Sequence, residues 1–161
     1  MNEKRVPKAI TENPPLTLYF NPYLPFSSTV EQVNALKFHA QISDESIRVA
    51  LLELLANSIR AHREKQISSK VKLEIRRNKR CIAISLTDRG GGFSPKKPPP
   101  LAPSARNPRF GMGLNLAKKL LPTMNIRFYN AQNSFIPYTP GKTEGTHIDI
   151  VLELPLNGNI M

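Results

Sequence analysis

Hydrophobic and polar residues recur along this chain with two different periods. Leu16 to Phe20 is rich in β-favouring residues and ends at a proline-broken stretch, which predicts a strand followed by a loop. Behind a Ser/Thr start, Val30, Val33, Leu36 and Phe38 fall at near-helical spacing and predict a first helix from about Thr29 to Gln41. The second helix has a cleaner beginning. Ser43 can cap its free amides, Asp44 and Glu45 suit the positive end of the dipole, and the stripe Ile47, Leu51, Leu54, Leu55 carries it to about Arg63. From Val71 the period changes to two: Val71, Leu73 and Ile75 alternate with Lys72, Glu74 and Arg76. A turn near Asn78 then leads into Ile82, Ile84 and Leu86 on one face. The alternation continues to Asp88, whose carboxylate therefore points to the apolar side, where it is costly unless something hydrogen-bonds it.

After Asp88 the periodicity stops. "RGGGFSPKKPPPLAPSARNPRFGMG" concentrates glycine and proline and predicts a long loop, of the kind that in a compact domain usually serves function. "LNLAKKLLPTM" is helical until Pro122. Residues 125–155 read as strand, long turn and strand, with Thr146, Ile148, Ile150, Leu152 and Leu154 sharing a face. This order predicts an α+β fold, a two-layer α/β sandwich with a mixed, mostly antiparallel sheet and helices on one face. A chain of 161 residues suits one such domain, expected over residues 15–156 between loose segments at 1–14 and 157–161.

Composition narrows the setting. With 40% hydrophobic and 22% charged residues the chain is that of a globular protein, not a disordered one. The basic opening has no apolar run behind it and nothing approaches the ~18 apolar residues of a membrane span, so neither secretion signal nor membrane anchor is expected. The lone cysteine, Cys81, sits in an apolar alternating run, which suits a buried thiol and a cytoplasmic location. A net charge of +11, from 23 Lys and Arg against 12 Asp and Glu, favours polyanions or acidic partners. The basic residues are scattered, however, with no interleaved aromatic–basic motif and no recognition helix, so direct nucleic-acid binding is not expected.

Four stretches carry candidate chemistry. Glu53 and Asn57, at i and i+4, lie on one helix face and either converge on a small ligand or form a polar helix edge. In "DRGGGF" an acid is followed by glycines that let backbone approach a flat ligand, or simply make a turn. In "RFGMGLNLAKKL" glycines directly before a helix expose N–H groups suited to phosphate, and Arg109 could reach that phosphate or a surface carboxylate. In "GTHIDI" Gly145 and Thr146 open the last strand with the Thr146 hydroxyl on the core face, where it either packs with a backbone hydrogen bond or finds another partner. "GKT" at residues 141–143 is no P-loop, because Ile136 stands where that motif requires glycine. His39, His62 and His147 have no zinc-site spacing and read as ordinary surface or core histidines.

Taken in order, E-x-x-x-N on a helix, D-x-G-x-G-F after a strand, G-x-G-L before a helix and G-T before a final strand resemble the GHKL (Bergerat-fold) ATP-binding superfamily over about residues 45–154. "ELLANSIRAH" and "RFGMGLNLAKKL" are similar to its anti-sigma-factor serine/threonine-protein kinase branch. The resemblance implies ATP and Mg²⁺ as cofactors, and phosphorylation of an antagonist protein in a partner-switching pathway. A sigma factor would be a second partner, and the protein would be a homodimer. It matches Asn57 to the magnesium-holding asparagine, Glu53 to the catalytic base and Asp88 to the acid that binds the adenine amino group. Gly90, Gly92 and Phe93 match the adenine-side box, Gly111, Met112, Gly113 and Leu114 the phosphate-side box after Arg109, and Thr146 the threonine near adenine. Residues 94–110 would be the lid over ATP. The branch often has a histidine four residues after the asparagine, where this chain has Ala61, with His62 one later. Two other roles stay open: a stand-alone histidine-kinase-like domain acting in trans, since His39 is followed by Ala40 and not an acid, and an ATP-sensing module without transfer.

Overall fold

The computed structural model describes residues 14–93 and 112–155. In chain order they form β1 (Leu16–Phe20), α1 (Phe26–Asn34), α2 (Asp44–Glu64), β2 (Val71–Arg77), β3 (Cys81–Thr87), α3 (Met112–Leu120), β4 (Asn125–Asn130), β5 (Phe135–Ile136) and β6 (Thr143–Glu153). The strands make one six-stranded sheet in the order β1-β2-β3-β6-β4-β5. The architecture is the expected α+β sandwich, and every pairing among the described residues is antiparallel, without the parallel component that a mixed sheet would have.

Local chemistry explains the elements. Ser43 Oγ accepts from the Ser46 N–H at 3.2 Å and caps α2, with Asp44 and Glu45 in the first turn. Asn78 Oδ1 accepts from the N–H groups of Arg80 and Cys81, closing the β2–β3 hairpin. The period-two residues of β2, β3 and β6 then put Leu73, Ile84 and Ile150 into one core with Leu51, Leu54 and Leu55 of α2 and Ala117 of α3. The other face of the sheet is left to solvent, with Tyr19 and Val151 among its exposed side chains.

Three expectations change. The first helix starts earlier and ends at Asn34, not Gln41. Leu36 and Phe38 are still fully buried, because the chain beyond α1 runs non-helically into the core. There the Asp44 carboxylate accepts from the Phe38 and His39 N–H groups, and Arg48 donates to the Leu36 carbonyl. Buried spacing alone could not tell that route from another helical turn. Cys81 is only half-buried, since its parity within β3 puts it on the open face. Gly145 and Thr146 do not open the last strand, which already begins at Thr143, so "GKT" runs from the turn at Gly141 and Lys142 into that strand. Residues 1–13 and 156–161 and the expected lid lie outside the described residues.

Candidate functional site

Where β3 ends, Asp88 is buried at 6% exposure. Its Oδ2 accepts from the Ser58 hydroxyl at 2.5 Å and the Thr146 hydroxyl at 2.8 Å, and its Oδ1 from the Gly90 N–H at 2.9 Å. The Thr146 N–H approaches Oδ1 at a longer 3.4 Å. Helix α2, strand β6 and the glycine turn thus each supply a donor, which meets the cost of placing a carboxylate on the apolar side. A carboxylate oxygen has room for about two acceptor contacts, so Oδ1, with one short bond, can take another donor.

The turn after Asp88 is held from both sides. The Arg89 N–H donates to His62 Nε2 at 2.8 Å, while His62 Nδ1 lies 2.9 Å from the Ser69 carbonyl. Those partners assign a neutral ring, protonated on Nδ1 and accepting on Nε2. His62 is fully buried and is therefore a brace, not a reactive group. From β4, the Tyr129 hydroxyl donates to the Asp88 carbonyl at 2.5 Å. Burial, the opposing charge of Arg89, and the Asp88 and Glu144 carboxylates together leave that phenol with a pKa pushed up to about 12, so it remains a donor. Gly145 must be glycine, because a Cβ there would overlap the Asp88 carbonyl; at Gly90 a Cβ would stand 2.6 Å from the Ala61 Cβ.

A cleft of about 210 Å³ opens above this carboxylate. Leu54 and Ile148 give it apolar walls, Phe93 and Leu114 border it, and Asn57, Arg60 and Lys65 bring polar groups from α2. Asn57 Oδ1 accepts from Arg60 at 3.2 Å, but its Nδ2 is buried without a hydrogen-bond partner, and so is Glu53 Oε1. Burial pushes the Glu53 carboxyl above the usual range and the Arg60 guanidinium below its own. The cleft can therefore take a flat polar group against Asp88 and present cations and an amide to an anion.

Of the residues singled out in the sequence, the cleft gathers Asn57, Asp88, Gly90, Gly92, Phe93, Leu114 and Thr146. Glu53 does not line it, although it lies one turn along α2 from Asn57. Gly113 is buried in the first turn of α3 and Met112 begins that helix. Arg109 and Gly111 lie outside the described residues. Ser58, Arg60, Lys65 and Tyr129 were not foreseen. Ser58 and His62 did leave a trace: they continue the stripe Leu51, Leu55 at helical spacing, so the stripe itself predicts that they face inward.

A family model described as a histidine kinase-like ATPase domain matches residues 27–134, more than half of the chain, from α1 to the β4–β5 turn. The matched span includes Glu53, Asn57, Asp88 and the start of α3, while β6 with Thr146 lies beyond it. No curated protein matches the chain.

Proposed function

Because the chain belongs to the histidine kinase-like ATPase family, we propose that it binds ATP in this cleft and passes the γ-phosphoryl group to a serine or threonine of an antagonist-type protein. The observation that carries the nucleotide reading is Asp88. A buried carboxylate held by Ser58, Thr146 and Gly90, with acceptor capacity left on Oδ1, suits the exocyclic amine of adenine. Leu54 and Ile148 suit the flat faces of the base. The triphosphate would then extend toward Lys65, Arg60 and the first turn of α3, where free N–H groups favour an anion.

Mg²⁺ fits the residues present. Among the described residues no cluster of His, Cys, Asp or Glu could cage a metal, and Mg²⁺ bound with nucleotide takes most of its ligands from phosphates and water. Asn57 would hold it through Oδ1, and the buried, partnerless Nδ2 marks a side chain whose surroundings are completed by a ligand. When bound, the ion neutralises charge on the phosphates. Arg60 would release Asn57 Oδ1 and turn to the phosphates. Glu53, a half-buried carboxyl with a raised pKa beside Asn57, has the character of a base for an incoming hydroxyl. One observation favours an ATP-sensing role instead, namely that Glu53 does not line the cleft. No described helix is long and apolar enough to cross a membrane. The kinase reading brings with it a cytoplasmic homodimer whose second partner would be a sigma factor.

The test is calorimetry with ATP and Mg²⁺, followed by γ-labelled ATP with candidate antagonist proteins and an acid-stability assay of the product. Acid-stable label on the partner is the expected result. Acid-labile label would replace this reading with phosphohistidine chemistry in trans, binding without transfer would leave a sensor, and absence of ATP binding would remove the reading altogether.

A further inference from the structure

The open face of the sheet carries a transverse row of side chains. In register, Tyr19 lies beside Lys72, Lys72 beside Thr87, Thr87 beside His147 and His147 beside Arg127. Five strands at about 4.8 Å make this row roughly 19 Å long. Both ends are aromatic. Tyr19 is 56% exposed, and at the far end the Arg127 guanidinium sits 3.9 Å over the ring of Phe135, itself 51% exposed. Between them lies a hollow of about 370 Å³ to which Lys70 and Arg89 add charge, and among the described residues that line it none is a carboxylate.

The neighbouring acids do not cancel this field. Glu74 pairs with Lys72 at 3.9 Å and with Arg76, Glu144 pairs with Arg89 at 3.1 Å, and Asp149 is engaged by Arg127, Ser85 and His147. The Lys72 and Arg89 side chains are themselves exposed, and Lys72 meets Glu74 only at 3.9 Å, so an incoming phosphate can compete for both cations.

We infer that this face binds single-stranded nucleic acid, with phosphates following Lys70, Lys72 and Arg89 and bases stacking on Tyr19 and Phe135. Single strands expose both groups that the row can use: a charged backbone and base faces free to stack on aromatic rings. A duplex hides its base faces. An acidic peptide or inorganic phosphate would use the cations and leave two half-exposed rings idle. The net charge of +11 strengthens the field around the row. Linear sequence conceals the motif because each member of the row comes from a different strand. The inference is independent of the ATP reading, since Asp88 faces the helices and the row faces away from them.

The test is fluorescence anisotropy with labelled oligothymidine and oligouridine of about 12 nucleotides, within the usual site size. For three phosphate contacts, log affinity should fall against log salt with a slope of about −2, a loss of roughly 20-fold between 50 and 200 mM salt. Lys72→Ala should lower the slope by about 0.7. Tyr19→Ala and Phe135→Ala should each weaken binding about tenfold. Tyr19→Ala should leave ATP binding and the circular dichroism spectrum unchanged, which separates this site from the cleft and from misfolding. No binding at low salt would overturn the inference. So would equal affinity for wild type and both aromatic variants, which describes a generic basic surface. Displacement of the oligonucleotide by poly-glutamate, with Lys72→Ala weakening both ligands and Tyr19→Ala weakening neither, would assign the face to an acidic peptide instead.

Discussion

The two ends of the cleft differ in how far the protein completes them by itself. At the Asp88 end the protein supplies the donors itself: Ser58, Thr146 and Gly90 hold the carboxylate and leave acceptor capacity on Oδ1 alone, while His62 and Tyr129 fix the turn behind it. At the Asn57 end, Asn57 Nδ2 and Glu53 Oε1 are buried without partners, and Asn57 Oδ1 is lent to Arg60. Buried polar atoms are normally paired, and leaving one unpaired costs about 1–3 kcal/mol. The first end is preorganised and loses little order on receiving a base. The second carries a deficit that a charged ligand can relieve, so binding there should reorganise side chains.

The largest effect should come from the complete end. Asp88→Asn keeps the shape but replaces an acceptor-only group by one that also donates, and its NH₂ must face either the Ser58 and Thr146 hydroxyls or the Gly90 N–H. The charge-assisted bond to the adenine amine is lost as well. ATP affinity should fall by about two orders of magnitude in calorimetry, from roughly 3 kcal/mol at 1.4 kcal/mol per tenfold. A variant that still bound ATP within a few-fold of wild type would show that the base is not read by Asp88.

How much of this was legible in advance follows from the distance over which each feature is built. Asp88 could be placed on the core side because the period-two pattern of β3 runs straight into it, and Asn57 beside Glu53 because helix spacing is local. The braces could not be seen so directly. Tyr129 and His62 reach the Asp88 turn from remote segments, and only tertiary packing joins them. Spacing predicts a first helix that continues past Asn34 because buried residues at helical spacing also fit the irregular stretch that Asp44 holds. Ala61, which departs from the branch pattern, makes sense once Gly90 is found packed against it. The aromatic–basic row of the open face illustrates the same limit, since residues that are neighbours across it come from different strands.

That contact between Ala61 and Gly90 supplies a second, smaller test of the preorganised end. Gly90→Ala would place a Cβ 2.6 Å from the Ala61 Cβ and push the turn off α2. Overpacking of this kind costs about 1–3 kcal/mol, and ATP affinity should drop about tenfold as the Gly90 N–H leaves Asp88 Oδ1. Ala61→Gly in the same chain should restore most of the affinity, although glycine inside α2 lowers stability by about 1 kcal/mol. Relief of the overpacking offsets that loss, so affinity should recover while stability changes little. If the double variant bound ATP no better than Gly90→Ala alone, the turn would not be positioned by this contact.

The smallest effect belongs to the incomplete end and is read through pH. Burial raises the Glu53 pKa in the folded chain above its ordinary value of 4.5. Between the unfolded and folded values the native state therefore holds more protons than the unfolded state, and stability must fall as pH rises through that window. Below it the carboxyl is neutral in both states and the penalty vanishes. Glu53→Gln replaces the ionisable group by a neutral one of the same shape, so its thermal stability should coincide with wild type below about pH 4 and exceed it above the folded pKa. Thermal unfolding monitored by circular dichroism from acid to neutral pH checks this without any nucleotide. Parallel curves across the whole range would mean that Glu53 is already solvated or paired. The deficit assigned to this end of the cleft would then reduce to Asn57 alone.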